Sequence, residues 1–97
     1  MRIIACDDEK LALKVMERAI KEACPDGELR CYSDPEAAID EIKRDGFIPD
    51  VAFLDIEMPV MNGVTTAHEL KAINPKLNVV FATGYTEYYQ EAIELHA

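Results

Sequence analysis

Apolar residues along the chain fall into two alternating kinds of pattern. Short apolar runs read as strands: Ile3–Cys6 after Arg2, Leu29–Tyr32 as a weaker one, and Val51–Leu54 and Val79–Ala82, which show no polar alternation. Between them, apolar positions recur at helical spacing. Leu11, Val15, Ala19 and Ala23 repeat every four residues with Ala12, Met16 and Ile20 beside them, and Cys24-Pro25-Asp26-Gly27 stops that helix. A second helix follows Ser33-Asp34-Pro35-Glu36. There Ser33 can cap while Glu36 reaches back, or Asp34 can cap with Pro35 in first position. Ala38, Ile39 and Ile42 supply its apolar side and Gly46 closes it. Val64, Ala67 and Leu70 mark a third helix that ends near Asn74-Pro75. A fourth is expected from about residue 87 onward, with Tyr85, Tyr89 and Ile93 on one side and Tyr88, Ala92 and Leu95 adjacent.

The order is βαβαβαβα. Strands apolar on both faces belong inside parallel sheets, and such alternation requires right-handed crossovers with helices on both sides of the sheet. The fold expected is therefore α/β, a doubly wound parallel sheet, formed by residues 1–97 as one domain.

Composition narrows the function. The net charge is −9, from 19 acidic and 10 basic residues, which repels nucleic acid. No apolar run reaches the roughly 20 residues that span a bilayer, and the N-terminus has no signal-peptide pattern, so a cytoplasmic location is expected. Cys6, Cys24 and Cys31 lack metal-type spacing and read as free thiols, and His68 and His96 are isolated.

In a doubly wound sheet, ligands bind beyond the carboxyl ends of the strands. Asp7-Asp8-Glu9 follows the first strand, Asp55-Ile56-Glu57 the third and Thr83-Gly84 the fourth. Three converging carboxylates require compensation, and a hard cation such as Mg²⁺, which takes a few carboxylates and keeps waters, provides it. Asp8 has a second reading as the N-cap of the first helix. Asp55 does not, because a loop, Met58-Pro59-Val60-Met61-Asn62-Gly63, follows it rather than a helix start.

These motifs together resemble the receiver domain of two-component response regulators, a flavodoxin-like fold. The family pattern is an acidic pair after strand one, an Asp after strand three followed by x-x-M-P-x-x-[DN]-G, and Ser or Thr after strand four. The resemblance covers the whole chain, and Thr83-Gly84-Tyr85 with Tyr88 looks most like regulators with a LytTR-type DNA-binding output. It implies that Asp55 accepts a phosphoryl group from a sensor histidine kinase. It further implies that Asp8, Asp55 and the Glu57 main-chain carbonyl hold Mg²⁺, with Asp7 acting through water. Thr83 is expected to bond the phosphoryl group and to switch the surface built on the fourth helix. Such a module is not an enzyme in the ordinary sense.

The family also carries a fifth strand ending in Lys, then a fifth helix, and this sequence of (βα)₄ type contains neither. Strand four is then an expected bare edge, and the apolar faces of helices one and four are expected to lie partly uncovered, inviting self-association through the strand-four edge and helix four. Two other readings follow from the residues. One is a receiver-like scaffold that binds partners without being phosphorylated. The other is an aspartate-nucleophile phosphatase of the haloacid dehalogenase type, which Asp55-Ile56-Glu57-Met58-Pro59 fits badly because that class needs D-x-D-x-[TV] and a cap.

Overall fold

The computed structural model describes residues 1–55 and 61–81. Their order is β1 (Arg2–Cys6), α1 (Lys10–Ala23), β2 (Glu28–Tyr32), α2 (Pro35–Asp45), β3 (Val51–Leu54), α3 (Gly63–Ile73) and β4 (Asn78–Phe81). The four strands form one parallel sheet in the order β2-β1-β3-β4. This is the α/β receiver-type fold expected from the sequence; β2 and β4 each begin one residue earlier than the apolar runs alone suggest. The proposed fourth helix lies outside the described residues.

Side-chain alternation along the central strands divides the core in two. Ile3, Ala5, Val51 and Phe53 face α1 and meet Met16, Ala19 and Ile20. Ile4, Cys6, Ala52 and Leu54 face α2 and α3 and meet Ile39, Ile42, Phe47, Leu70 and Leu77. All four residues of β3 are fully buried, which explains why its sequence has no polar alternation.

Helix ends are fixed locally. Asp34, rather than Ser33, caps α2: its carboxylate accepts from the Glu36 N–H at 3.0 Å, with Pro35 in the first turn. Gly46 closes that helix at φ +66°, a left-handed conformation that favours glycine, and Phe47 then donates its N–H to the Ile42 carbonyl at 3.0 Å. The Asn62 side chain caps α3 by accepting from the Thr65 N–H at 2.9 Å. At the other end of α3, Asn74 Nδ2 donates to the Pro49 carbonyl at 2.8 Å and ties the helix to the entry of β3.

One stripe behaves differently from its periodicity. Met16, Ala19 and Ile20 carry the buried face of α1, whereas Leu11 is 73% and Val15 55% exposed. A four-residue repeat drifts around the 3.6-residue helix, so Leu11 and Val15 turn away from the sheet that Ala19 reaches. The expectation of an uncovered apolar face on helix one is thus met at these two residues.

Candidate functional site

Backbone pairing delivers the site. Cys6 is in register with Leu54, so Asp7 and Asp55 leave neighbouring strands at the same edge. Each ladder continues one step further. The Asp55 N–H donates to the Cys6 carbonyl at 3.0 Å and the Asp7 N–H to the Tyr32 carbonyl at 3.1 Å. Both backbones are therefore held where their carboxylates must converge.

Asp7, Asp8 and Asp55 each offer a carboxylate oxygen within 4.8 Å of the others. Their settings differ. Asp7 is buried at 7% exposure, Asp55 is half-buried and Asp8 is exposed. Asp7 Oδ1 accepts from the Glu9 N–H at 2.9 Å, in a short Asx turn that leads into α1. Capping of α1 by Asp8, the second reading of that residue, is not what forms. Glu9 occupies the N-cap position without a side-chain cap bond, and the local hydrogen bond falls to Asp7. That leaves the Asp8 carboxylate available to the cluster.

Electrostatics follow from this packing. Burial raises the Asp7 carboxyl above its ordinary value, with the charges of Asp55, Asp8 and Glu9 adding to the rise and the Glu9 N–H opposing it. The adjacent Cys6 thiol is pushed up to about 12, first by burial and then by Asp34, Asp7, Asp8 and Asp55. Cys6 is therefore an inert neutral thiol beside an acidic edge rather than a nucleophile or ligand. Cys6, Cys24 and Cys31 form no disulfide, and among the described residues the three aspartates are the only group with metal-ligating placement.

Three oxygen donors on neighbouring strand ends, one of them desolvated and all of like charge, fit a hard divalent cation that keeps part of its water shell. Two sequence candidates, Glu57 and Thr83, lie outside the described residues, as does Gly84. What sequence reading missed was the cap on α3. Asn62 fixes the return of the chain after the loop that follows Asp55, and its signal was an Asn directly before Gly63-Val64-Thr65.

The chain matches the family model "Response regulator receiver domain" over residues 3–97. It belongs to the response regulator receiver family. This receiver domain is 35% identical over 100 positions to the sensory transduction protein LytT of Bacillus anthracis and 31% identical over 97 to that of Bacillus subtilis. It covers all of its own length but 39% of each of those relatives. Among solved structures, a receiver domain protein from Clostridium thermocellum superposes with a TM-score of 0.71 at 21% identity, covering 99% of this chain and 76% of that one. An uncharacterized protein from Neptuniibacter caesariensis gives 0.80 at 17% identity, covering 98% and 85% respectively. These structural likenesses bear on the fold, and the receiver assignment rests on the family match. Among the described residues no helix is long and apolar enough to cross a membrane.

Proposed function

We propose that residues 1–97 act as a single phosphoacceptor receiver unit in which Asp55 takes a phosphoryl group from a phosphohistidine of a sensor histidine kinase. The observation that carries this reading is the meeting of Asp7, Asp8 and Asp55 within 4.8 Å at the carboxyl edge of the sheet. A carboxylate oxygen of Asp55 attacks phosphorus, the P–O bond forms as the P–N bond breaks, and the imidazole nitrogen leaves with the electron pair. The product is an aspartyl phosphate and an unmodified histidine. Asp55 is suited to this role because its main chain is anchored to β1 while its side chain remains half-exposed to an incoming group.

Mg²⁺ would be held by Asp8, Asp55 and the Glu57 carbonyl, with Asp7 acting through water. It supplies positive charge against the phosphoryl oxygens. Asp7 fixes the turn into α1 through its bond to Glu9, and so keeps Asp8 beside Asp55. Family resemblance gives Thr83 the hydrogen bond to a phosphoryl oxygen and couples its movement to the helix-four face. The likeness of Thr83-Gly84-Tyr85 and Tyr88 to regulators with a LytTR-type DNA-binding output points to a role in transcription control, and the LytT relatives, of which this chain spans 39%, are sensory transduction proteins.

The test is incubation with acetyl phosphate, with and without Mg²⁺, followed by intact-mass and peptide analysis. The reading expects one Mg²⁺-dependent phosphoryl adduct on Asp55, absent from Asp55→Asn. Sustained turnover of assorted phosphate esters would point to a phosphatase. The absence of any adduct, with Mg²⁺ binding intact, would point to a partner-binding scaffold.

A further inference from the structure

The chain holds three asparagines, Asn62, Asn74 and Asn78, in settings that differ sharply for one covalent reaction. In that reaction the main-chain nitrogen of the following residue attacks Cγ of the asparagine side chain. A C–N bond forms, the Cγ–Nδ2 bond breaks, ammonia leaves and a cyclic succinimide remains. Water then opens either of its carbonyls, giving aspartate or isoaspartate. Water is the only co-reactant. The following residue must carry an N–H, must not crowd the ring, and must not have that N–H held in a hydrogen bond.

Asn74 cannot react in this way. Pro75 follows it and has no N–H, and both ends of its amide are held: Nδ2 donates to the Pro49 carbonyl at 2.8 Å and Oδ1 accepts from the Lys76 N–H at 3.0 Å. Asn78 opens β4, in register with Val51, and the β-branched side chain of Val79 crowds ring closure. Asn62 meets every requirement. It is exposed, and its Nδ2 donates to no described residue. Gly63 follows it, with no side chain to crowd the ring. The Gly63 N–H is the first of α3, so it has no partner within the helix, and no described residue accepts from it. The Thr65 N–H, 2.9 Å from Asn62 Oδ1 at the positive end of α3, lies where the negative charge of the tetrahedral adduct collects. One restraint opposes the attack. Ring closure turns the Asn62 main chain away from ψ 166° and strains the bond from the Thr66 N–H to its carbonyl, so the folded chain reacts more slowly than an unfolded one.

We propose that Asn62 is a site of spontaneous modification, converted in the folded chain to aspartate and isoaspartate, and that the two products act oppositely on α3. Aspartate keeps an oxygen for the Thr65 N–H and adds negative charge at the helix N-terminus. Isoaspartate carries an extra main-chain carbon. That displaces both the capping oxygen and the carbonyl that accepts from the Thr66 N–H at 3.0 Å and from its hydroxyl at 2.9 Å. The inference concerns the start of α3 alone and stands whether or not Asp55 is phosphorylated.

Incubation of the 97-residue chain near pH 8 and 37 °C for several weeks, followed by peptide mass mapping, tests this. The mass gain of an amide becoming an acid should accumulate at Asn62 ahead of Asn74 and Asn78. It should be absent at that position from Asn62→Ser, which keeps a capping oxygen without an amide. After separation by ion exchange, the aspartate product should melt at or above the temperature of the parent, as Asn62→Asp does, and the isoaspartate product below it. Earlier reaction at Asn74 or Asn78 overturns the inference. So does an Asn62 that stays intact in the folded chain while it reacts in urea, because the fold would then protect the amide. An isoaspartate product that melts with the parent would overturn the opposite action on α3.

Discussion

Replacing Asp7 by Asn removes one negative charge from the interior of the acidic cluster and leaves the shape almost unchanged. The amide oxygen can still accept from the Glu9 N–H, so the turn into α1 is retained. Two unit charges 4.8 Å apart, the upper limit of the separations here, repel by about 0.9 kcal/mol at the permittivity of water and about 3.5 kcal/mol at an effective value of 20. Asp8 is exposed and Asp55 half-buried, so the lower part of that range applies to each. Relief of both repulsions and of the cost of burying the charge stabilises the metal-free fold by about 1–2 kcal/mol, which for a domain of this size raises the melting temperature by roughly 4–16 °C.

The pH dependence has a definite sign. Asp7 has a folded pKa above its unfolded value of about 3.9, so the folded chain holds the proton more tightly. Stability contributed by the protonated form is present below the unfolded value and is lost as pH rises through the folded one. Thermal melts of the metal-free protein from pH 3.5 to 7 should show that loss, and Asp7→Asn should lack its share of it. Mg²⁺ should act in the opposite sense, raising the melting temperature of the unsubstituted chain at pH 7 by up to the equivalent of about 2.7 kcal/mol at one hundred times its Kd, and raising that of Asp7→Asn less. If Asp7→Asn is less stable than the parent without metal, or if Mg²⁺ stabilises both equally, the acids do not repel one another as described here.

Two further substitutions probe the frame that holds the site. Asp34→Ala removes the α2 cap and should cost about 1 kcal/mol in urea unfolding, with Asp34→Asn close to neutral; equal losses from both would mean that the cap bond is not the cause. Phe53→Ala empties a fully buried ring position between β3 and α1 and should cost about 3–5 kcal/mol, enough to leave the chain largely unfolded at 37 °C by circular dichroism.

Much of this protein could be read from residue order. Apolar runs placed all four described strands to within a residue, most directly β1 and β3, where Ile3–Cys6 and Val51–Leu54 are buried on both faces and leave no room for a polar position. Turn and cap chemistry placed the stop after Ala23 and the closure at Gly46, since these depend on the local backbone alone. The candidate acids were legible for a related reason, in that each directly follows a strand that must lie in the sheet interior. Tertiary structure decided what depends on neighbours distant in sequence. It brought Asp7, Asp8 and Asp55 within 4.8 Å through the parallel register of β1 and β3. It buried Asp7 while leaving Asp8 in solvent, although the two residues are adjacent and chemically identical. It also decided which part of the apolar side of α1 the sheet covers, burying Met16, Ala19 and Ile20 and leaving Leu11 and Val15 exposed. Periodicity specifies a face of a helix, but which face is covered depends on where the sheet ends, and that is a property of the assembled fold.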